Sequence, residues 1–186
     1  MTSLVDRIVA LETALSAARV PHAFGGALAL AFHTEEPRGT RDIDLNAFVA
    51  GPDIESVFTA LPAGVAWESK DVARGERDGQ IRIFWDDTPI DLFFTTHAFH
   101  DVAHIHIERV PFAGITIPIL GATELLVFKA FFDRTKDWAD IEAMVQAGTA
   151  DLHSALGWLV DLLGADDARI LRLGKLLPSE GGPTPG

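Results

Sequence analysis

The sequence predicts an α+β fold, an α/β sandwich in which a mixed β-sheet carries helices and a helical C-terminal part follows. Three observations predict it. Strand-like and helix-like segments alternate from residue 1 to about residue 120. Pairs of β-rich runs joined by short turn segments read as hairpins. Beyond Gly121 the apolar residues recur at helical spacing only. The expected organisation is a core over 1–120, C-terminal helices packed on it over 121–177 and a flexible Pro- and Gly-rich tail over 178–186.

Each element has a local reason. Leu4, Val5, Ile8, Leu11 and Leu15 recur at helical spacing behind Ser3, a good N-cap, and Pro21 stops that helix. His22 to Phe24 reads as a short strand ending at the turn Gly25-Gly26. Ala27 to His33 reads as a helix and residues 34–41 as a polar loop. From Asp42 to Val49 the apolar residues alternate and then run on, as in a strand with one functional face. Asp53 to Leu61 reads as a helix, and the charged stretch 67–79 as an exposed loop. Gln80 to Trp85 and Pro89 to Phe94 form one expected hairpin. Ile105 to Val110 and Ile115 to Ile119 form a second. Glu124 to Asp133, Trp138 to Gln146, Leu152 to Leu163 and Asp166 to Leu177 are the four expected C-terminal helices. Trp85, Trp138, Trp158 and the phenylalanines at 93, 94, 128, 131 and 132 are expected in the core.

Composition removes several classes of function. The 186 residues include no Cys and no Tyr. Disulfides, thiolate metal sites, cysteine nucleophiles and tyrosine acids are therefore excluded. With 15 basic and 27 acidic residues the formal charge is −12, which opposes non-specific binding to nucleic acid or anionic membranes. No apolar run approaches the ~18 residues of a membrane span. No signal peptide is read at the N-terminus. The expected location is cytoplasmic, with no membrane partner.

The densest chemical signal is Asp42-Ile43-Asp44. Residues two apart on a strand share a face, with Cα atoms about 6.5–7 Å apart. Two such carboxylates repel each other, and a divalent cation removes that cost. Oxygen-only donors suit Mg²⁺ or Mn²⁺. Asp91, a lone acid in the apolar run 89–94, joins them if its strand lies alongside, because neighbouring strands are only about 4.8 Å apart. Three acids of this kind can hold metal for phosphoryl or nucleotidyl transfer. Upstream, Gly25 and Gly26 precede a helix, so backbone N–H groups there can approach an anion such as a triphosphate.

The segment GGALALAFHTEEPRGTRDIDL, Gly25 to Leu45, resembles the signature of the nucleotidyltransferase superfamily related to DNA polymerase β. It is closest to the AbiEii-like branch of abortive-infection and toxin–antitoxin systems. The resemblance implies that Gly25 and Gly26 hold the nucleotide phosphates and that Asp42, Asp44 and Asp91 are the catalytic, metal-binding acids. It also implies a nucleotidyltransferase core fold. Glu124-Leu-Leu-Val-Phe-Lys129 and Arg134-Thr-Lys-Asp-Trp-Ala-Asp140 are similar to later segments of the branch. Many superfamily members carry Ser where this chain has Gly26, which removes one hydroxyl from the turn. The implied reaction is attack of an acceptor hydroxyl on the α-phosphorus of an NTP with loss of pyrophosphate. Asp91 is then the group to help deprotonate the hydroxyl.

Nine of the fifteen basic residues cluster. Arg38 and Arg41 flank the acid pair; Lys70, Arg74, Arg77 and Arg82 lie in or beside one loop; Lys129, Arg134 and Lys136 lie near a helix junction. Arg41 and Lys129 are the expected nucleotide contacts. Arg38, Arg134 and Lys136 are expected phosphate or acceptor contacts. The loop group reads more simply as solvated charge. His97, His100, His104 and His106 invite a zinc reading, but His104 and His106 alternate with Ile105 and Ile107 as on the outer face of a strand.

The leading function is a Mg²⁺- or Mn²⁺-dependent nucleotidyltransferase with an NTP as substrate. Its acceptor would be a tRNA end, a partner protein of a toxin or antitoxin kind, or a small molecule. The competing functions are a non-catalytic nucleotide-binding or protein-interaction module of the same fold, and a metal-dependent phosphohydrolase using the same acids.

Overall fold

The computed structural model describes residues 2–36 and 39–177. Arg38 and the expected tail at 178–186 lie outside the described residues. The chain divides into two compact units, Met1–Gly121 and Ala122–Gly186.

The first unit opens with α1 (Leu4–Ala17). Ser3 caps it, accepting from Asp6 N while the Asp6 carboxylate accepts from Ser3 N. This capping box satisfies two donors that a helix start otherwise leaves orphaned. Then follow β1 (His22–Phe24), α2 (Gly26–Thr34), β2 (Ile43–Ala47), a 3₁₀ turn at Gly51–Asp53, α3 (Ile54–Ala60), β3 (Val65–Ala66) and α4 (Ser69–Asp78). The unit continues with β4 (Gln80–Trp85), β5 (Thr88–Phe94), α5 (Phe99–Ile105), β6 (Glu108–Phe112) and β7 (Ile115–Ile119). The seven strands form one mixed sheet in the order β3-β4-β5-β2-β1-β7-β6. β2 runs parallel to β5 and β1 parallel to β7, whereas the other pairs are antiparallel.

The pairing sorts the two sheet faces. Ile43 and Leu45 of β2 stand opposite Ile90 and Leu92 of β5, and all four are buried. Each contributes about 1.5–3 kcal/mol by leaving water. Asp44 and Asp91, one residue out of phase, therefore project from the opposite face. Two polar links fasten α1. Its buried Arg7 bonds Asp86, Asp87 and Thr88 at the β4–β5 turn. Its Glu12 bonds His22 Nε2 of β1 at 2.8 Å.

Two expectations fail here for physical reasons. The stretch 67–79 is mostly helix, not loop. Glu68 and Asp71 form a capping box at the start of α4, and Gly79, in the left-handed region at φ +69, ends it. Gly75 lies inside that helix because the Phe94 ring packs on it; a Cβ there would stand 2.8 Å from Phe94 Cε2. His104 lies on helix α5, not on a strand, and its ring stacks on Phe48 with centroids 4.7 Å apart. His106 caps the end of that helix. Among the described residues no three His, Asp or Glu side chains stand close enough together to hold a metal, so the histidines form no zinc site.

The second unit contains α6 (Ala122–Phe132), α7 (Thr135–Ala147), α8 (Leu152–Leu163) and α9 (Ala168–Gly174). Trp138 is buried as expected. Phe131 and Phe132 are not; they end α6 at the surface, with the guanidinium groups of Arg169 and Arg134 over their rings at 5.7 and 5.3 Å. No helix among the described residues is long and apolar enough to cross a membrane.

Candidate active site

The polar face of the sheet carries a row of four residues across four neighbouring strands. Arg82 of β4 stands opposite Asp91 of β5, and Asp91 opposite Asp44 of β2. Asp44 in turn meets Gly25 at the end of β1, where Gly25 N donates to Asp44 O at 2.9 Å. Asp42 enters just before β2. Thr40 fixes it, its hydroxyl donating to Asp42 Oδ1 at 3.1 Å and accepting from Asp42 N at 3.3 Å. The structure thus brings Asp44, Asp91 and the glycine turn to adjacent positions.

Arg82 joins the three acids. Its Nε and Nη2 donate to the two Asp91 oxygens at 2.7 and 2.6 Å, and Nη2 lies 3.8 Å from Asp42 Oδ2. The hydrogen bonds to Asp91, helped by the charges of Asp91, Asp42 and Asp44, hold the guanidinium well above the usual arginine range. Asp42, Asp44 and Asp91 offer the oxygen donors that a hard divalent cation takes, but the three side chains do not close round one point, and Arg82 is lodged among them. As the side chains stand, both oxygens of Asp91 are engaged by Arg82.

Gly26 explains itself. It begins α2 at φ +54, a left-handed conformation that costs other residues roughly 1–2 kcal/mol. A Cβ there would also fall 1.8 Å from Asp44 Oδ2 and 2.4 Å from its Cγ. A serine at this position collides with the Asp44 carboxylate, so Gly26 and the leaning Asp44 belong together. Gly25, the N-cap of α2, has no side chain with which to cap this nine-residue helix. Gly26→Ala is expected to lower stability by about 1–2 kcal/mol and Tm by about 2–4 °C per kcal/mol in a chain this size. It should also move the Asp44 carboxylate. Thermal melts beside Gly157→Ala, where an added Cβ meets nothing within 4 Å, check it; equal melts for both variants would contradict the argument.

A cavity of about 570 Å³ opens beside Asp42 and Asp44. Its walls are mostly apolar, from Leu4, Val5 and Ile8 of α1 and Leu28 and Ala31 of α2, with Phe112 at the β6–β7 turn. That volume is in the usual range of small-molecule sites.

The other expected contacts are placed as follows. Arg41 is exposed, one residue before Asp42. Lys129, Arg134 and Lys136 belong to the second unit. Lys129 is buried, its Nζ 2.7 Å from Asp140 Oδ2 and 3.7 Å from Asp137 Oδ1. Arg134 Nε donates to Asp137 Oδ2 at 2.6 Å. Lys136 is exposed on α7. His33 is buried and bonds Leu120 O through Nε2 at 2.8 Å. Arg82 is the site residue that sequence reasoning missed, having grouped it with solvated charge.

No protein-family model and no curated protein sequence matches the chain. Solved structures do. The antibiotic-resistance factor ANT(2'')-Ia, in complex with adenylyl-2''-tobramycin, superposes with a TM-score of 0.59 at 13% identity, covering 92% of this chain and 97% of that one. Its solution structure matches with a TM-score of 0.53 at 15% identity, over 92% and 94%. The lincomycin-bound lincosamide antibiotic adenylyltransferase LnuA matches with a TM-score of 0.54 at 12% identity, over 77% of this chain and 98% of that one. What these likenesses establish is the fold: the mixed sheet and its helices follow the architecture of nucleotidyltransferases.

Proposed function

We propose that this protein is a metal-dependent nucleotidyltransferase that moves an NMP from an NTP to a hydroxyl of a small-molecule acceptor. The observation that carries the reading is the row Asp91–Asp44–Gly25 on one sheet face, with Gly26 pressed against Asp44. A merely structural strand pair has no use for two directly opposed carboxylates, since like charges across a sheet are destabilising. Asp42, Asp44 and Asp91 are the ligands for Mg²⁺ or Mn²⁺. A divalent cation held there supplies charge neutralisation and alignment of the triphosphate with the attacking oxygen. Gly25 and Gly26 present backbone to the phosphates at the uncapped start of α2, and Arg41 adds charge at the same edge. Asp91 accepts the proton of the acceptor hydroxyl as its oxygen attacks the α-phosphorus and pyrophosphate leaves.

Two observations favour a small acceptor over RNA. The cavity beside the acids has apolar walls and small-molecule size, and the net charge of −12 leaves few phosphates to be neutralised. The proteins of similar fold named above carry adenylyl-2''-tobramycin or lincomycin. The AbiEii-like segment at 25–45 supports the other reading within the superfamily, a toxin–antitoxin role with a tRNA end or a partner protein as acceptor.

The test is a transfer assay with Mg²⁺ and each α-labelled NTP. The acceptors are aminoglycosides, lincosamides, total tRNA and a cell extract, beside an Asp42→Ala/Asp44→Ala control. Label in a small molecule, lost in the control, is the expected result. Label in RNA or protein would move the acceptor class. Metal-independent nucleotide binding without transfer would favour a binding module, and unlabelled phosphate release a hydrolase.

A further inference from the structure

The placement of Arg82 deepens the nucleotidyltransferase reading and rests on it. Asp91 cannot offer its oxygens to a metal while both are bonded to Arg82 at 2.6 and 2.7 Å. The same guanidinium reaches toward Asp42 at 3.8 Å. Arg82 is nonetheless a mobile kind of partner. Its side chain is 52% exposed, on a strand whose outward residues face solvent, whereas that of Asp91 is 19% exposed. Leaving Asp91 therefore costs Arg82 little desolvation, and rotation of its own side chain suffices.

We infer that Arg82 is an exchangeable counter-cation: it neutralises the acids in the free protein, gives Asp91 up to the metal, and passes to the triphosphate that arrives with it. The exchange has a direction set by charge. A divalent cation arriving alone must displace a bidentate arginine and leave it beside an added positive charge. A cation arriving with a triphosphate brings the arginine new oxygens, which guanidinium groups bind in the same forked way as a carboxylate. The site should thus load metal and nucleotide together and resist metal alone. Arg82 is a positioning residue in this scheme, since it acts on the acids before the reaction and on a non-reacting phosphate during it.

The test is Mn²⁺ binding, read by electron paramagnetic resonance of the free ion. It uses the full chain with and without a non-hydrolysable α,β-methylene triphosphate. Wild type should bind Mn²⁺ weakly alone and much more tightly with the analogue. Arg82→Gln should bind Mn²⁺ alone more tightly by about 5- to 150-fold, the usual span of coupling between sites, and should lose most of the enhancement by the analogue. Arg82→Lys, which keeps the charge without the fork, should fall between. Arg77→Gln, on an exposed arginine paired with Asp78, should match wild type. Melting curves report folding independently, and added Mn²⁺ should raise Tm more in Arg82→Gln than in wild type. Equal Mn²⁺ affinities in wild type and Arg82→Gln would overturn the exchange and make Arg82 a plain cross-strand clamp. No Mn²⁺ binding by any variant, with or without the analogue, would overturn the metal-dependent reading itself.

Discussion

Asp44→Asn and Asp91→Asn are each expected to reduce nucleotidyl transfer by at least about 10³-fold, a loss of about 4 kcal/mol from transition-state stabilisation. The folded state should hardly notice. Asp91 loses a partly exposed pair with Arg82, and such pairs contribute about 0–1 kcal/mol. Asp44 faces its neighbour carboxylate across the parallel pair β2–β5, and the asparagine keeps the shape of the side chain and a carbonyl oxygen to accept hydrogen bonds. Initial rates at saturating NTP, beside thermal melts of the same preparations, separate the two effects. A variant that melts like wild type and turns over within tenfold of it would remove these acids from the chemistry.

The second large effect lies in the other unit. Lys129→Met is expected to destabilise the protein by about 3–5 kcal/mol, because it removes the ammonium of a buried ion pair with Asp140, while Asp137 keeps its bond from Arg134. Asp137 is fully buried and Asp140 3% exposed, and Lys129 is the ammonium bonded to Asp140. Urea unfolding followed by circular dichroism reads this as a midpoint lowered by about 1–3 M at ordinary slopes. Lys136→Met, on the exposed side of the same helix region, should stay within about 0.5 kcal/mol. If Lys129→Met kept its midpoint and only weakened nucleotide binding, the lysine would serve a ligand and not the unit's interior.

Much of this was legible in the residues. Ser3 ahead of apolar residues at helical spacing, the alternation through 42–49 and the β-rich runs around Asp86 each point to a local structure that the chain adopts. The acids were legible because a lone charge in an apolar strand has few uses. Arg82 was not, and the reason is register. Taking Asp86 to Thr88 as a three-residue turn sets Arg82 out of phase with Asp91. The turn has two residues, Asp86 and Asp87, with Asp86 in the left-handed region at φ +52, so Trp85 pairs with Thr88 and Arg82 with Asp91. One residue of slip moves a side chain to the other face. The helix at 69–78 was hidden for a different reason: its charged sequence has almost no apolar stripe, and its two ends and the Phe94 contact at Gly75 define it. The cavity beside the acids was beyond the sequence altogether, since it depends on α1, α2 and the β6–β7 turn meeting in space.

The parallel seam between β2 and β5 also sets when the acid cluster can come into being. Asp44 and Asp91 are direct neighbours across that seam although 47 positions separate them along the chain, and the connection contains α3, β3, α4 and β4. A ribosome releasing this chain makes the glycine turn and the first two acids early, with no third acid beside them. β5 must then insert between β2 and β4, a non-local pairing that closes a long loop and is slow by nature. The nascent polypeptide therefore lacks the complete acid row at least until β5, Thr88–Phe94, has been made and paired. Any ligand held by all three acids together can be captured only by the finished sheet.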